Sequence, residues 1–364
     1  LSYVILSDIH GHKWSLFSKP TAEGVNGRLQ IIIDEIHRAA DHAVSIGASH
    51  MVIAGDVLHV RGSIDPEVLN PLEDCFYEVL GKGLDIVAIP GNHDLAGKET
   101  TAIGNAIRTF GKMQNGGKCF IVDERPTIRW MGDHRIAMFP FRATFTSLLE
   151  DMQVIANELK HHVGETDAFI HAGIDGVLPS MPDHGLTPAM LQTFGFRAVF
   201  AGDYHNHKDL GGNIYSIGAL THQTWSDLGS RAGFMVVHDD GSIKHMATHA
   251  PRFIDVTGMT EEEMAEAARG NYVRFSAKDM TTAEITEIRK FFEDNGSLGT
   301  SIIATKKVAT ARRPGAAKAG STLDDSVVSF VDGDATIPAF IDRDRLKSAC
   351  VEVLAKARSV HEEA

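Results

Sequence analysis

The sequence has no apolar run of about 18 residues, so no membrane-spanning helix is expected. Cysteine is scarce. Cys75, Cys119 and Cys350 are scattered without metal-ligand spacing, which excludes a disulfide framework and points to a reducing, cytoplasmic setting. They are expected to act as small buried hydrophobes. No Gly-x-x-x-x-Gly-Lys-Ser/Thr occurs, so any ATPase function must belong to another chain. No internal repeat is visible. Basic residues are also short, 35 against 48 acidic, a formal net charge of -13. That balance argues against a general nucleic-acid coat, because phosphate binding runs on Lys and Arg. It leaves room for a site in which metal ions supply the positive charge.

What is present is enough chain, 364 residues with 43% hydrophobic, for one large domain and one or two small additions. Leu1 to Leu6 run straight into a motif and read as a strand, not as a signal segment. Candidate strands are Tyr3–Leu6, His50–Ala54, Asp85–Ile89, Ile136–Phe139, Ala168–Ile170, Ala198–Ala201, Asn213–Ile217 and Phe234–Val237. Most are near-continuous apolar runs, the pattern of strands buried on both faces. Helices are expected near Arg28–Ile46, Pro66–Gly81, Thr100–Phe110 and Phe145–His162, the second announced by Asp65 before Pro66. The alternation predicts an α/β sandwich.

Pro251 and Arg252 mark a change of pattern. A smaller β-α-β unit is expected from Tyr272–Phe275, a helix over Thr282–Asn295 and Ser301–Ala304, with Thr281 as cap and Gly296 as stop. Thr305 to Gly320 holds Ala, Gly, Lys and Arg but no acidic residue, and reads as a flexible basic linker. A last helix is expected from about Arg343 to Ser359. The domain plan is thus 1–250, 251–305 and 306–364.

Polar clusters stand where ligands bind in α/β sheets, beyond the carboxyl ends of strands. They are Asp8-Ile9-His10, Gly55-Asp56-Val57-Leu58-His59, Gly91-Asn92-His93-Asp94, His171, and Gly202-Asp203-Tyr204-His205-Asn206-His207. Asp8 and His10 lie two apart, and on an extended chain both would point the same way. Mixed nitrogen and oxygen donors suit Mn, Fe or Zn better than Mg or Ca. Asp56 falls between the two ligand sets in chain order and is the natural bridge between two ions. The neutral carbonyl of Asn92 keeps such a site from being over-neutralised.

In order and spacing, these clusters resemble the signature of the calcineurin-like metallophosphoesterases over residues 1 to about 210. Within that superfamily the chain looks most like the SbcD-type DNA repair nuclease subunit, in versions typical of phages. His59, the run Ile214-Tyr215-Ser216-Ile217-Gly218-Ala219-Leu220, and the unit after Pro251 carry that second likeness. The resemblance implies a four-layer α/β/β/α sandwich with a small α+β capping domain. It implies two divalent ions, Mn first, and a phosphodiesterase acting on DNA as exonuclease and endonuclease through a hydroxide activated by two metals. It also implies a separate SMC-like ATPase partner, with a homodimer left open.

By the family's pattern Asp8, His10, Asp56 and the last histidine of the fifth cluster would hold one ion. Asp56, Asn92, His171 and the residue after Gly202 would hold the other. The family usually reads Gly-His-x-His where this chain reads Gly202-Asp203-Tyr204-His205. Either Asp203 replaces the first histidine, or His205 and His207 form the pair. His93 would protonate the leaving oxygen with Asp94 orienting its ring, and His59 would contact the phosphate. Arg61, Lys98, Arg108 and Arg142 would grip a nucleic-acid backbone, and Tyr204 or Trp225 would stack on a base. The terminal helix, with Leu346, Val353, Leu354 and Val360, would dock a partner or pack on its own domain. The other readings are hydrolysis of small nucleotides or phosphoproteins, and a scaffold with a dead site.

Overall fold

The apolar runs become the strands of two packed sheets. The computed structural model describes residues 1–59, 61–97, 103–178, 182–306, 322–333, 337–338 and 340–362, with 305–306 and 356–362 as backbone only. In chain order, the first half holds β1 (Tyr3–Leu6), α1 (Gly27–Ser45), β2 (His50–Ala54), α2 (Pro66–Gly81), β3 (Asp85–Ile89), β4 (Gln114–Asn115), β5 (Gly117–Ile121), β6 (Thr127–Met131), β7 (His134–Met138), α3 (Phe145–Leu159) and β8 (Thr166–His171). Then follow α4 (Pro188–Gln192), β9 (Ala198–Gly202), β10 (Lys208–Asp209), β11 (Ile214–Ser216), β12 (Gly233–Val237) and β13 (Ile243–Ala247). One sheet has the order β13-β12-β1-β2-β3-β5-β4 and the other β10-β11-β9-β8-β7-β6.

Three apolar layers explain why both sheets are buried on both faces. Tyr3, Ile5, Val52, Val87 and Ile89 of the first sheet pack with Phe169, Phe200 and Met138 of the second. On the outer face of the first sheet, α1 and α2 contribute Leu29, Ile36, Leu72 and Val79. On the outer face of the second, α3 contributes Leu148, Met152 and Ile155. The result is the four-layer α/β/β/α sandwich. Between the sheets sits one buried polar hub. Asp167 on β8 accepts hydrogen bonds from the Tyr3 hydroxyl, from Arg197 and, at 2.7 Å, from His134 Nε2. A buried carboxylate is tolerable only with such a full set of donors.

After β13 the chain builds β14 (Phe253–Asp255), α5 (Glu261–Ala268), β15 (Tyr272–Met280), α6 (Thr282–Asp294) and β16 (Gly299–Lys306), a three-stranded sheet ordered β14-β15-β16. Its core is Val256, Ala268, Val273 and Phe292. The expected β-α-β unit is therefore extended by β14 and α5. The first is only three residues long, and the second begins with three glutamates, so neither shows an apolar pattern. Its start is set by a capping box between Thr260 and Glu263.

The chain forms two compact units, Leu1–Ala277 with Thr282–Ala304, and Lys278–Thr281 with Thr305–Ala364. The second contains α7 (Leu323–Gly333) and α8 (Arg343–Glu362), which share an apolar seam including Val327, Val331, Leu346 and Cys350. The terminal helix is thus paired with α7. Among the described residues, no helix is long and apolar enough to cross a membrane. The helix expected over Thr100–Phe110 is replaced by a 3₁₀ segment, Ala106–Lys112, capped by Asn105, with 100–102 outside the described residues. Most of the basic linker also lies outside them.

Candidate metal centre

The five polar clusters come together at the carboxyl ends of β1, β2, β3, β8 and β9. Asp8, Asp56 and His171 have ligand-capable atoms within 4.8 Å of one another, as do Asp8, His10 and His205, and His10, His59 and His93. Asp56 Oδ2 lies 3.5 Å from His10 Nε2 and 3.4 Å from His171 Nε2, between the two groups of donors. Asn92 Oδ1 is 3.3 Å from His171 Nε2, and His205 Nε2 is 3.2 Å from His10 Nε2. Asp8, His10, Asp56 and His171 are all buried.

Backbone strain builds this convergence. Asp8, His10, Asp56 and Asp203 have φ of 49°, 47°, 53° and 96°, in a region that side chains rarely adopt. The extended-chain argument for Asp8 and His10 is therefore corrected: they converge through two left-handed residues, not through strand alternation. The strained loops are tied to one another by His10 N–H donating to the Asp56 carbonyl at 2.9 Å, and by Asp203 N–H donating to Asp8 Oδ2 at 3.1 Å. Gly91 is required by contact: a Cβ there would lie 2.1 Å from Asp56 Oδ1. At Gly55, φ is 96° and a Cβ would lie 2.3 Å from His171 Nδ1.

Electrostatics point the same way. Burial, then the Asp56 charge, raises Asp8 to about 6, with His171 pulling against them. Burial also works against the Asp56 carboxylate, but His171, His10 and His93 outweigh it and hold Asp56 ionised. For His171, burial opposes the charged form while Asp56, Asp8 and Asp203 favour it, and the balance is a raised pKa. Two buried, mutually repelling carboxylates ringed by imidazoles fit divalent cations, which would relieve the repulsion. The mixture of carboxylate and amide oxygens with imidazole nitrogens also fits. His171 Nδ1 donates to the Ala54 carbonyl at 2.7 Å, which leaves Nε2 as the ring atom that faces Asp56 and Asn92.

The remaining candidates divide. Asp203 sits at the centre, its carboxylate 3.9 Å from His171 Nε2. His207 does not: its ring is buried elsewhere, donating from Nδ1 to the Ser216 carbonyl at 2.9 Å and stacked on His245 with centroids 4.0 Å apart. His93 Nδ1 lies 2.5 Å from the His59 carbonyl oxygen, so His59, not Asp94, orients that ring. Asp94 instead accepts from the backbone N–H groups of Val57, Leu58 and Gly91, clamping two ligand loops. Burial raises Asp94 to about 7, with Asp56 adding to it. His59 is lowered to about 4 by burial and by His12 and His93, so its ring carries no charge at pH 7.

Arg61 is exposed, whereas Arg108 pairs with Asp123 and Arg142 with Asp151. Lys98 lies outside the described residues. Tyr204 is engaged by His184 Nε2 at 2.5 Å, and Trp225 packs on Phe253 at 4.8 Å. Sequence reasoning missed Asp227, whose Oδ1 is 2.7 Å from His205 Nδ1. The Thr224-x-x-Asp227 capping box was its signal.

A family model described as calcineurin-like phosphoesterase matches residues 1–207. Exonuclease subunit 1 of Enterobacteria phage T4 is 24% identical over 226 residues, which are 61% of this chain and 61% of that protein. The chain thus matches less than two thirds of that relative's length. Among solved structures, a dimetal phosphatase from Danio rerio covers 65% of this chain and 92% of its own at 9% identity and a TM-score of 0.42. A Pseudomonas putida nuclease covers 67% and 87% at 16% identity and a TM-score of 0.28.

Proposed function

We propose, from the premise that this chain belongs to the calcineurin-like phosphoesterase family, that it is a divalent-metal-dependent phosphodiesterase acting on DNA, of the SbcD type. The observation that carries the reading is the position of the Asp56 carboxylate between His10 and His171, the arrangement a bridging ligand needs. The family binds two divalent metals. Asp8, His10, Asp56 and His205 would hold one, and Asp56, Asn92, His171 and Asp203 the other. Bound there, the ions would supply Lewis acidity toward phosphoryl oxygens and lower the pKa of a coordinated water.

The chain's own residues do the rest. Asp94 holds the Asp56 and Gly91 loops in register, so the donors are in place before substrate arrives. His93, fixed by the His59 carbonyl through Nδ1, presents Nε2 as the proton donor. As a water oxygen forms the new P–O bond and the old one breaks, the leaving oxygen takes the Nε2 proton of the imidazolium, and the neutral ring is left with its lone pair there. The preference for DNA is supported by the likeness to the phage exonuclease subunit and by the 251–305 region, which we read as a substrate-selecting cap. That relative is named as one subunit, which supports a partner chain for this one, and the SbcD-type reading makes that partner a separate ATPase.

Hydrolysis of small phosphate esters is the second reading. The net charge of -13 and the pairing of Arg108 and Arg142 with acidic residues favour it. The two separate when metal-stripped protein, reloaded with Mn²⁺, is offered end-labelled duplex DNA, single-stranded DNA and a chromogenic phosphomonoester. Degradation of DNA supports the nuclease. Cleavage of the small ester alone transfers the reading to a phosphatase.

A further inference from the structure

One turn, residues 223–227, touches both the candidate centre and the region after Pro251. On the centre's side it reaches two donors. Asp227 Oδ1 accepts from His205 Nδ1 at 2.7 Å, which leaves His205 Nε2 as the atom beside His10 Nε2, 3.2 Å away. Gln223 Nε2 donates to the main-chain carbonyl of Asp8 at 2.9 Å, holding a residue whose φ is positive. Both Asp227 and Gln223 are buried. The turn is self-closing: Asp227 Oδ2 accepts from Gln223 N–H at 2.8 Å and Thr224 N–H at 2.7 Å.

On its other side the turn is fastened to the later region. Arg28 donates to the Gln223 carbonyl at 2.5 Å. Its guanidinium lies 4.9 Å from the Trp14 ring, 5.2 Å from Phe253 and 5.5 Å from Tyr272. Trp225, within the turn, packs on Phe253 and lies under Arg274 at 5.0 Å. A desolvated guanidinium held by stacked rings and a carbonyl is a rigid strut.

We propose that Asp227 is a positioning residue for one metal position. Its carboxylate fixes the tautomer and orientation of His205, and the turn that it closes holds Asp8 through Gln223. The geometry of this metal position therefore depends on a turn that the 251–304 region braces. A carboxylate behind a metal-ligating histidine raises its basicity and fixes its ring, and removing such a partner typically costs 10–100-fold in metal affinity. The inference rests on the two-metal reading of the site but not on DNA as substrate.

The test is a titration of the full chain with Mn²⁺ alone, following free Mn²⁺ by its electron paramagnetic resonance signal, with no substrate present. Wild type is expected to bind two ions. Asp227→Ala should weaken one of them by about 10–100-fold and leave the other within about 3-fold. Asp227→Asn keeps an oxygen acceptor for Nδ1–H and should lose less, about 3–10-fold. Thr224→Ala removes a hydroxyl that caps the same turn but leaves the Asp227 carboxylate on His205 Nδ1, and should lose less than either Asp227 variant. Wild-type affinities in Asp227→Asn, or a loss in Thr224→Ala equal to that in Asp227→Ala, would overturn the proposal. Asp227→Asn carries the test if circular dichroism shows Asp227→Ala unfolded. A chain that binds two Mn²⁺ with these responses yet leaves DNA intact would sink the nuclease reading and support this one. A wild type that binds no Mn²⁺ overturns both.

Discussion

His93 donates from Nδ1 to the carbonyl oxygen of His59 at 2.5 Å, which fixes the ring and leaves Nε2 as the nitrogen for the proposed proton transfer. His93 N–H also donates to Asp56 Oδ1 at 2.8 Å. Main chain and ring are thus both anchored on the second cluster. Replacing the ring leaves the main-chain bond in place. His93→Ala should therefore keep both metal ions and lose about 10²–10⁴-fold in kcat, the usual worth of a general acid. Single-turnover rates beside Mn²⁺ counting check this. A variant with full rate assigns the proton to another group.

Gly91 is the tightest contact in the site. A methyl group there meets Asp56 Oδ1 at 2.1 Å, Asp56 N at 2.5 Å and His171 Cε1 at 2.7 Å, all held by buried backbone or by other donors. Gly91→Ala should displace Asp56 and weaken Mn²⁺ binding by at least about 10-fold while the sandwich still folds. Isothermal titration with Mn²⁺ and a thermal melt separate the two effects. Unchanged affinity would mean that the loop has slack.

Metal also reports on stability. Ions that bind only the folded chain stabilise it by about 2.7 kcal/mol per site at a hundred times Kd. Melts with Mn²⁺ and with chelator should therefore differ by several degrees. Asp56→Asn should shrink that gap, because Asp56 is expected to serve both positions.

His245 carries a pH signature outside the cluster of donor residues. Both ring nitrogens are buried without a hydrogen-bond partner, and the ring stacks on His207. Burial first, then His207 and Arg231, lowers its pKa to about 3. The folded value is thus depressed below the unfolded value of about 6.5. The unfolded chain binds the extra proton, so this contribution to stability is complete above pH 6.5 and is lost as pH falls from there toward 3. His245→Phe keeps the stack and removes the titration. Urea midpoints measured from pH 7 to pH 4 should fall less steeply in the variant, and an identical slope would locate the acid sensitivity elsewhere.

The cysteines give a simple solution check. Burial raises Cys75 and Cys119 to about 12 each, with Glu78 adding to the first, while Cys350 is partly exposed. A thiol reagent at pH 8 should label Cys350 promptly and the other two only on unfolding. Labelling of Cys75 in the native state would indicate local opening around α2.

The sequence by itself determined the buried strands that carry the site, though not β4, β5, β6, β10 or β13, and which residue types gather at their ends. Tyr3–Leu6, and His50–Ala54 and Asp85–Ile89 after their polar first residues, are apolar runs with no polar face to offer solvent, so burial on both sides was legible without a structure. The five polar clusters followed from position alone, because a strand's carboxyl end is where an α/β sheet opens. Only the tertiary structure decided how the donors meet. Asp8 and His10 converge through left-handed backbone that no periodicity encodes. Asp94 turns away from His93 because three backbone N–H groups of the ligand loops need an acceptor. His207 leaves the cluster because the Ser216 carbonyl and the His245 ring offer it a buried place. Asp227 is marked locally by its capping box, but its pairing with His205, 22 residues earlier, appears only in the folded chain. Which atoms face one another is set by long-range packing of loops, and that is fixed only when both sheets have closed over their shared core.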